Sequence, residues 1–259
     1  MTPPPVPAPA SPRNPDDAAT LAGRVTALEY RYAGVGGASL VAAMVNCEFR
    51  GSIALVSSFG ASSAVLLHMV AGIDRRLPVL FLDTGKLFGE TLRYREQLVR
   101  RLDLSDVRDI RPDSSRIAAH DPDGALWARD ENLCCFLRKV EPLSRALAPF
   151  AAWITGRRRE QGDLRAGLPL VEADQGRTKI NPLAGWTQRD INDYFATHEL
   201  PRHPLEADGF LSIGCMPCTD RVANGENTRA GRWRGRGKTE CGIHLTCRRK
   251  LSTEVVQSG

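Results

Sequence analysis

Ile53 to Ser57 is an unbroken apolar run that ends in Ser57-Ser58-Phe59-Gly60-Ala61-Ser62-Ser63, after which Val65, Leu66, Met69, Val70 and Ile73 recur at helical spacing. The pattern reads as strand, small hydroxyl-rich loop and helix. A second unit follows: Pro78-Val79-Leu80-Phe81-Leu82 reads as a buried strand, and Phe88, Leu92, Val99 and Leu102 fall on one face of the next helix. Strands that alternate with helices pair in parallel, because the helix carries the chain back across the sheet. The expected fold is therefore α/β, a mainly parallel sheet flanked by helices. Further along, Cys134 to Leu147 reads as helical, Trp153-Ile154-Thr155 and Lys179 to Leu183 as short strands, and Thr187-Gln188-Arg189-Asp190 as a helix start. From Pro201 onward turn residues dominate, among them Gly209, Gly214, Pro217, Gly225, Gly231, Gly235 and Gly237, so a loop-rich, mobile C-terminal arm is expected.

With 259 residues, 42% of them hydrophobic and 25% charged, the chain can bury one substantial core. Prolines at positions 3, 4, 5, 7, 9, 12 and 15 mark residues 1–20 as a disordered tail, leaving residues 21–246 as one folded unit and 247–259 as a polar tail. The start lacks the basic segment and apolar run of a secretory signal, and no stretch of about 18 apolar residues occurs. A cytoplasmic protein is expected. Seven cysteines, an odd number that includes a vicinal pair, fit a reducing compartment better than a disulfide framework. The net charge of +5 is concentrated at Arg157 to Arg159, from Arg229 to Lys238 and at Arg248 to Lys250, which suggests an anionic ligand. The last of these runs, near a polar terminus, reads better as solvated surface.

The loop at Ser57, Ser58, Gly60 and Ser62 can aim backbone N–H groups, hydroxyls and a helix N-terminus at one anion, although such a turn is often only a cap. Leu82-Asp83-Thr84-Gly85 follows the second strand, where open parallel sheets bind nucleotides, so both loops are expected to line one crevice. Four cysteines, Cys134, Cys135, Cys215 and Cys218, suit a metal centre. Adjacent helical residues diverge by roughly 100°, which makes joint ligation of one small ion awkward and separate irons of a cluster easier to reach. A four-iron, four-sulfur cluster is the preferred reading, with zinc and unligated thiols as its competitors. Cys241 sits in a basic, glycine-rich stretch where Arg229, Arg232, Lys238 and His244 can favour the thiolate, the nucleophilic form of cysteine. Cys47 and Cys247 read as structural or incidental thiols, and His68 and His120 as ordinary residues.

Taken together, Ser57-Ser58-Phe59-Gly60-Ala61-Ser62-Ser63, Leu82-Asp83-Thr84-Gly85, Cys134-Cys135, Cys215-x-x-Cys218, Arg229-Ala-Gly-Arg232-Trp233 and Lys238-Thr-Glu-Cys241-Gly-Ile-His244 resemble the assimilatory adenylyl-sulfate (APS) reductases. The resemblance runs in order from about residue 40 to 246. It implies an adenine nucleotide α-hydrolase-like fold and a reaction in which Cys241 attacks the sulfur of APS, expels AMP and carries an S-sulfocysteine. Thioredoxin or a similar thiol reductant then releases sulfite. It further implies Cys241 and His244 as catalytic residues, and Ser57, Ser58, Gly60 and Ser62 near the phosphosulfate. Leu82 and Thr84 would lie near the adenosine, and Lys139, Gly156, Arg157, Arg229 and Arg232 would complete the substrate site. Cys134, Cys135, Cys215 and Cys218 would hold the cluster. Neither a nucleic acid nor a membrane is an expected partner, and a homo-oligomer stays open.

Two departures stand out. Pyrophosphatase relatives of this fold usually carry a Ser-Gly-Gly-type loop, whereas Ser57-Ser58-Phe59-Gly60 argues against ATP cleavage. Arg234-Gly235-Arg236-Gly237 is unusually basic, and Cys247 adds a thiol close to the nucleophile. Three other readings compete. The 3′-phosphoadenylyl-sulfate (PAPS) reductases share the terminal cysteine motif, typically lack the four cluster cysteines, and would use a basic group such as Arg157 to Arg159 for the extra phosphate. A zinc-bound nucleic-acid module accounts for the charge and four cysteines and leaves Cys241 unexplained. An RNA-thiolating enzyme on the same fold would consume ATP.

Overall fold

The computed structural model describes residues 15–244, with the backbone alone for residues 15–19 and 163. The start of the proline-rich stretch, Cys247, the Arg248 to Lys250 run and the polar tail lie outside the described residues. In chain order the elements are α1 (Pro15–Arg31), α2 (Gly37–Ala43), β1 (Ile53–Ser57), α3 (Ser63–Ile73), β2 (Val79–Leu82), α4 (Gly89–Leu102), β3 (Val107–Ile110), α5 (Ser114–His120), α6 (Leu126–Arg129), α7 (Glu131–Cys135), α8 (Glu141–Ala146), β4 (Ala152–Ile154), β5 (Val171–Asp174), β6 (Arg177–Ile180) and α9 (Gln188–Thr197). Helix α1 begins at Pro15, inside the stretch expected to be a tail, because proline is tolerated in the first turn of a helix, where its missing N–H is not needed.

The six strands form one sheet in the order β3-β2-β1-β4-β6-β5, parallel except for β5, which pairs antiparallel to β6 at the edge. Both faces of the central strands are covered. Ile53 and Leu55 of β1, Val79 and Phe81 of β2 and Ile154 of β4 join the larger core with α2, α3 and α9, while Ala54, Val56, Leu80, Leu82 and Trp153 pack under Leu143 and Leu147 of the α8 side. Burial on two faces explains why β1 and β2 read as continuous apolar runs instead of alternating ones. Strand order reverses beside β1, since the chain moves from β1 to β2 and β3 on one side and then returns to β4 on the other. That reversal opens a crevice beyond the carboxyl ends of β1 and β4, where Ser57 and Thr155 emerge.

The face of α4 differs from expectation. Thr91, Tyr94, Leu98 and Leu102 are buried, whereas Leu92 is 40% exposed and Phe88 is the N-cap. Two polar groups turn inward because each finds a partner: Tyr94 Oη donates to Pro201 O at 2.7 Å, and Thr91 Oγ1 lies 3.1 Å from His203 Nε2. At α9 the expected start is present, with Thr187 and Asp190 capping each other's backbone N–H. Beyond Pro201, among the described residues, only short 3₁₀ turns interrupt the loops, at Pro204–Glu206, Met216–Cys218 and Gly242–His244. No helix among the described residues is long and apolar enough to cross a membrane.

His203 fastens the start of this arm to α4, and burial pushes its pKa down to about 4. Its Nδ1 accepts from Leu205 N, so the neutral ring donates from Nε2 to Thr91. With a folded pKa below the ordinary value of about 6.5, the unfolded chain takes up this proton first on acidification. The contribution is complete above pH ~6.5 and is lost as pH falls towards about 4. Between those limits the wild-type chain should lose roughly 2 kcal/mol more stability than His203→Gln, read from urea midpoints. Equal pH slopes for the two proteins would remove His203 as the cause.

Candidate active site

One cavity of about 200 Å³ occupies the crevice. Ser57, Ser58, Gly60 and Ser62 line it from the β1 loop, Leu82 and Thr84 from the β2 loop, and Gly156 and Arg157 from the segment after β4. Lys139 enters from the π-helical turn at Phe136–Val140, and Arg229, Arg232, Cys241 and His244 come from the arm. Every substrate-site and catalytic residue expected from the sequence therefore faces one space. The β1 loop holds Phe59 in the left-handed region at φ 48°, where glycine would be unstrained. Its ring is fully buried and packs edge-on against Phe81, with centroids 5.3 Å apart, which offsets the backbone cost. Gly60 permits a close approach, since a Cβ there would lie 3.1 Å from Ile213 O of the arm.

Cys241 is 9% exposed. A hydrogen bond from Cys135 holds its pKa well below the ordinary thiol range, against the effect of burial, and Lys139, the Ile243 N–H and Arg232 act in the same direction. The free Cys135 thiol moves upward in return; as an iron ligand Cys135 would carry no proton, and Lys139, the Ile243 N–H and Arg232 would remain to favour the Cys241 thiolate. Two of the expected cations are otherwise engaged. Lys238 Nζ donates to Asn132 Oδ1 at 2.7 Å, and His244 is held neutral by burial together with the charges of Lys179, Arg157, Arg165 and Arg229. His244 thus presents a neutral imidazole to the cavity, its ring parallel to Trp153 at a centroid distance of 6.2 Å. Arg232 lies over the Trp233 ring at 4.4 Å and against the backbone of Gly214, where a Cβ would overlap the guanidinium.

Cys134, Cys135, Cys215 and Cys218 line a second, narrow pocket beside the first, with Lys86, Arg138 and Lys139 in its wall. The two segments meet through the β2 loop: Thr84 Oγ1 is 3.3 Å from Cys215 Sγ, Arg138 Nη1 donates to Thr84 O at 2.8 Å, and Met216 N donates to Lys86 O. Among the described residues no group of three or more His, Cys, Asp or Glu side chains is arranged to hold a single metal ion. Four thiols around one pocket, with three cations and one carboxylate, Glu131, in its wall, have the donor chemistry of a compact anionic cluster. The six described cysteines are all free thiols.

Residues 52–221 match the phosphoadenosine phosphosulfate reductase domain family. The chain belongs to this family. It is 53% identical over 220 residues to the adenosine 5′-phosphosulfate reductase of Chelativorans sp. (strain BNC1), covering 84% of this chain and 89% of that protein. It is 56% identical over 198 residues to the adenosine 5′-phosphosulfate reductase of Mesorhizobium japonicum, covering 76% and 78%. The phosphoadenosine 5′-phosphosulfate reductase of Gloeobacter violaceus is 42% identical over 211 residues, covering 80% of this chain and 87% of its own. The phosphoadenylyl-sulfate reductase of Candida auris, crystallised with phosphate, shares the fold at a TM-score of 0.62 and 23% identity, over 77% of this chain and 97% of that one. Membership of the phosphoadenosine phosphosulfate reductase family makes the chain an oxidoreductase acting on sulfur, on the adenine nucleotide α-hydrolase-like fold.

Within this family frame, three features of the site escaped the sequence reading. Trp153 floors the cavity from β4, and Arg165 and Glu240 meet across it as a buried ion pair. Single charged residues far apart in sequence carry no pattern that foretells such a pair. The Arg157 to Arg159 run is also committed internally: Arg157 to Asn181 and Glu172, Arg158 to Glu160 and Gln188, and Arg159 to Leu168 O. Burial pulls Arg157 down to about 10.

Proposed function

We propose that this chain reduces APS to sulfite and AMP in assimilatory sulfate reduction. The observation that carries this reading is the convergence of the hydroxyl loop, the arm arginines and the Cys241 thiolate on one crevice at the strand-order reversal. The Cys241 sulfur attacks the sulfur of the sulfate group, the S–O bond to phosphate breaks, and AMP leaves with that bonding pair. Cys241 is left as an S-sulfocysteine. A thiolate of thioredoxin, or of a similar dithiol, then attacks Cys241 Sγ and sulfite departs with the S–S pair. The second thiol of the reductant closes its own disulfide and restores Cys241. The phosphate–sulfate linkage supplies the leaving group, so the protein chiefly contributes a thiolate, positioning and cations. Ser57, Ser58 and Ser62 offer hydroxyls to the phosphosulfate, Lys139, Arg229 and Arg232 offset the combined charge of thiolate and substrate, and Leu82, Thr84, Gly156 and Arg157 flank the nucleoside. His244, being neutral, acts as a hydrogen-bonding group.

Cys134, Cys135, Cys215 and Cys218 would hold a four-iron, four-sulfur cluster, which would supply an anionic centre and join the arm to α7. The internal engagement of Arg157 to Arg159 favours APS over PAPS, because Arg157 and Arg158 are paired with Glu172 and Glu160 and Arg159 is turned to the Leu168 carbonyl. The test is to incubate anaerobic protein, without reductant, with APS or PAPS and to map adducts by intact and peptide mass spectrometry. An SO₃ increment on Cys241 mainly from APS is expected. An adduct mainly from PAPS would keep the mechanism and overturn the substrate, and no adduct from either nucleotide would reject the reaction class.

A further inference from the structure

Among the described residues that line the main cavity, Glu240 is the only carboxylate. A negative charge facing a site for an anion is unfavourable unless other partners hold it. Arg165 supplies them in a two-pronged contact, Nε to Oε2 at 2.6 Å and Nη2 to Oε1 at 2.8 Å, with both side chains 7% exposed. Arg229 Nη2 adds a third contact at 3.2 Å. The same Oε1 accepts from the backbone N–H of Cys241 at 2.9 Å. A guanidinium from the turn between β4 and β5 is thereby connected, through the carboxylate of Glu240 75 residues away, to the peptide of the adjacent cysteine read as the nucleophile. Upstream, the arm is held to the body by Arg236 on Trp127 O and Lys238 on Asn132, and Glu240 is the next charged anchor along it.

Resting on the reading of Cys241 as the nucleophile, we propose that Arg165 and Glu240 form the latch that seats the arm, with Arg165 a positioning residue that acts on Cys241 through Glu240. The latch has two consequences. Closed, it fixes the Cys241 peptide against the cavity. A reductant reaching for a sulfur that is 9% exposed requires the arm to come away, and the Arg165–Glu240 contact is what must part. Removing Glu240 leaves the Arg165 guanidinium buried without its carboxylate, and removing Arg165 leaves Glu240 only the longer Arg229 contact and the Cys241 N–H, which favours the released arm.

Alkylation of Cys241 by iodoacetamide, in cofactor-replete anaerobic protein without nucleotide or reductant and followed on the Cys241 peptide by mass spectrometry, tests this. Electrostatics alone predicts opposite signs: Glu240→Gln removes a negative charge and should speed the reaction, whereas Arg165→Met removes a positive one and should slow it. A latch predicts that both variants speed alkylation by at least about tenfold, through a more populated open arm. The double variant should then exceed the faster single by no more than about twofold, since both changes break one contact. Opposite signs, no change in either single variant, or effects that multiply in the double would overturn the proposal. If Arg165→Met melts at a markedly lower temperature, Arg165→Lys takes its place, keeping the charge and losing the two-pronged contact, and the same acceleration is required of it. Because no nucleotide is present, a wrong substrate assignment leaves this result untouched, while a wild-type protein that takes no SO₃ from APS rejects the functional reading alone.

Discussion

Cys241→Ser is expected to abolish sulfite formation, lowering thioredoxin-coupled turnover by roughly 10⁴-fold or more, the scale on which loss of a nucleophile acts. The reason lies in the charge state. The free Cys135 thiol, Lys139, the Ile243 N–H and Arg232 all lower the pKa of the buried Cys241, the last three also when Cys135 ligates iron, and none of them can bring a serine hydroxyl to an alkoxide at neutral pH. His244 cannot substitute by acting as a cation, since burial and four neighbouring positive groups keep it neutral. Nucleotide binding should survive, because the hydroxyl loop and Arg229 and Arg232 are untouched by the change. Isothermal titration with AMP should therefore give an affinity within about threefold of wild type, a small change on the energy scale of binding. Retained turnover within tenfold of wild type would take Cys241 out of the mechanism, and lost AMP binding would point to a damaged cavity instead.

The parts of the molecule that were legible in the sequence are those with a single physical cause. Strands β1 and β2 read clearly because both faces are buried, and the crevice followed from the alternation of strand and helix. Strands β3 and β5 went unread: as edge strands they carry Arg108 and Asp109, or Glu172 and Asp174, which break an apolar pattern. The face of α4 was misassigned because Thr91 and Tyr94 count as polar until His203 and Pro201 O are seen to satisfy them. At the site, residue identity reveals which groups can act as nucleophile, cation or ligand, whereas Leu82 and Thr84 were expected there from their place after a strand, and Lys139 and Gly156 only through the resemblance to a family. Charge state depends on three-dimensional neighbours. His244 and Lys238 looked like cations for Cys241, yet one is neutral and the other is turned to Asn132. The Arg165–Glu240 pair joins two loops, and no local spacing announces it.

Cys215→Ser should show the second large effect, loss of the iron centre. Cys215 stands apart from the other three cysteines because its Sγ contacts Thr84 Oγ1 and its backbone bridges Leu87, so one residue joins the cysteine pocket to the nucleotide loop. A serine oxygen is a poorer ligand for iron than a thiolate. Purified anaerobically, the wild-type protein should carry about four irons and four acid-labile sulfides per chain, and Cys215→Ser fewer than about half of each. Its melting temperature should also fall, since a group that binds only the folded chain stabilises it by mass action. Cys47→Ser is the matched control: Cys47 is exposed, lies outside the pocket and should keep full iron. Equal iron and sulfide in Cys215→Ser and wild type would mean that this thiol is no ligand, and stoichiometric zinc in place of iron would reverse the cluster assignment altogether. The measurement reads metal content directly, so its outcome stands whatever the variant does to turnover.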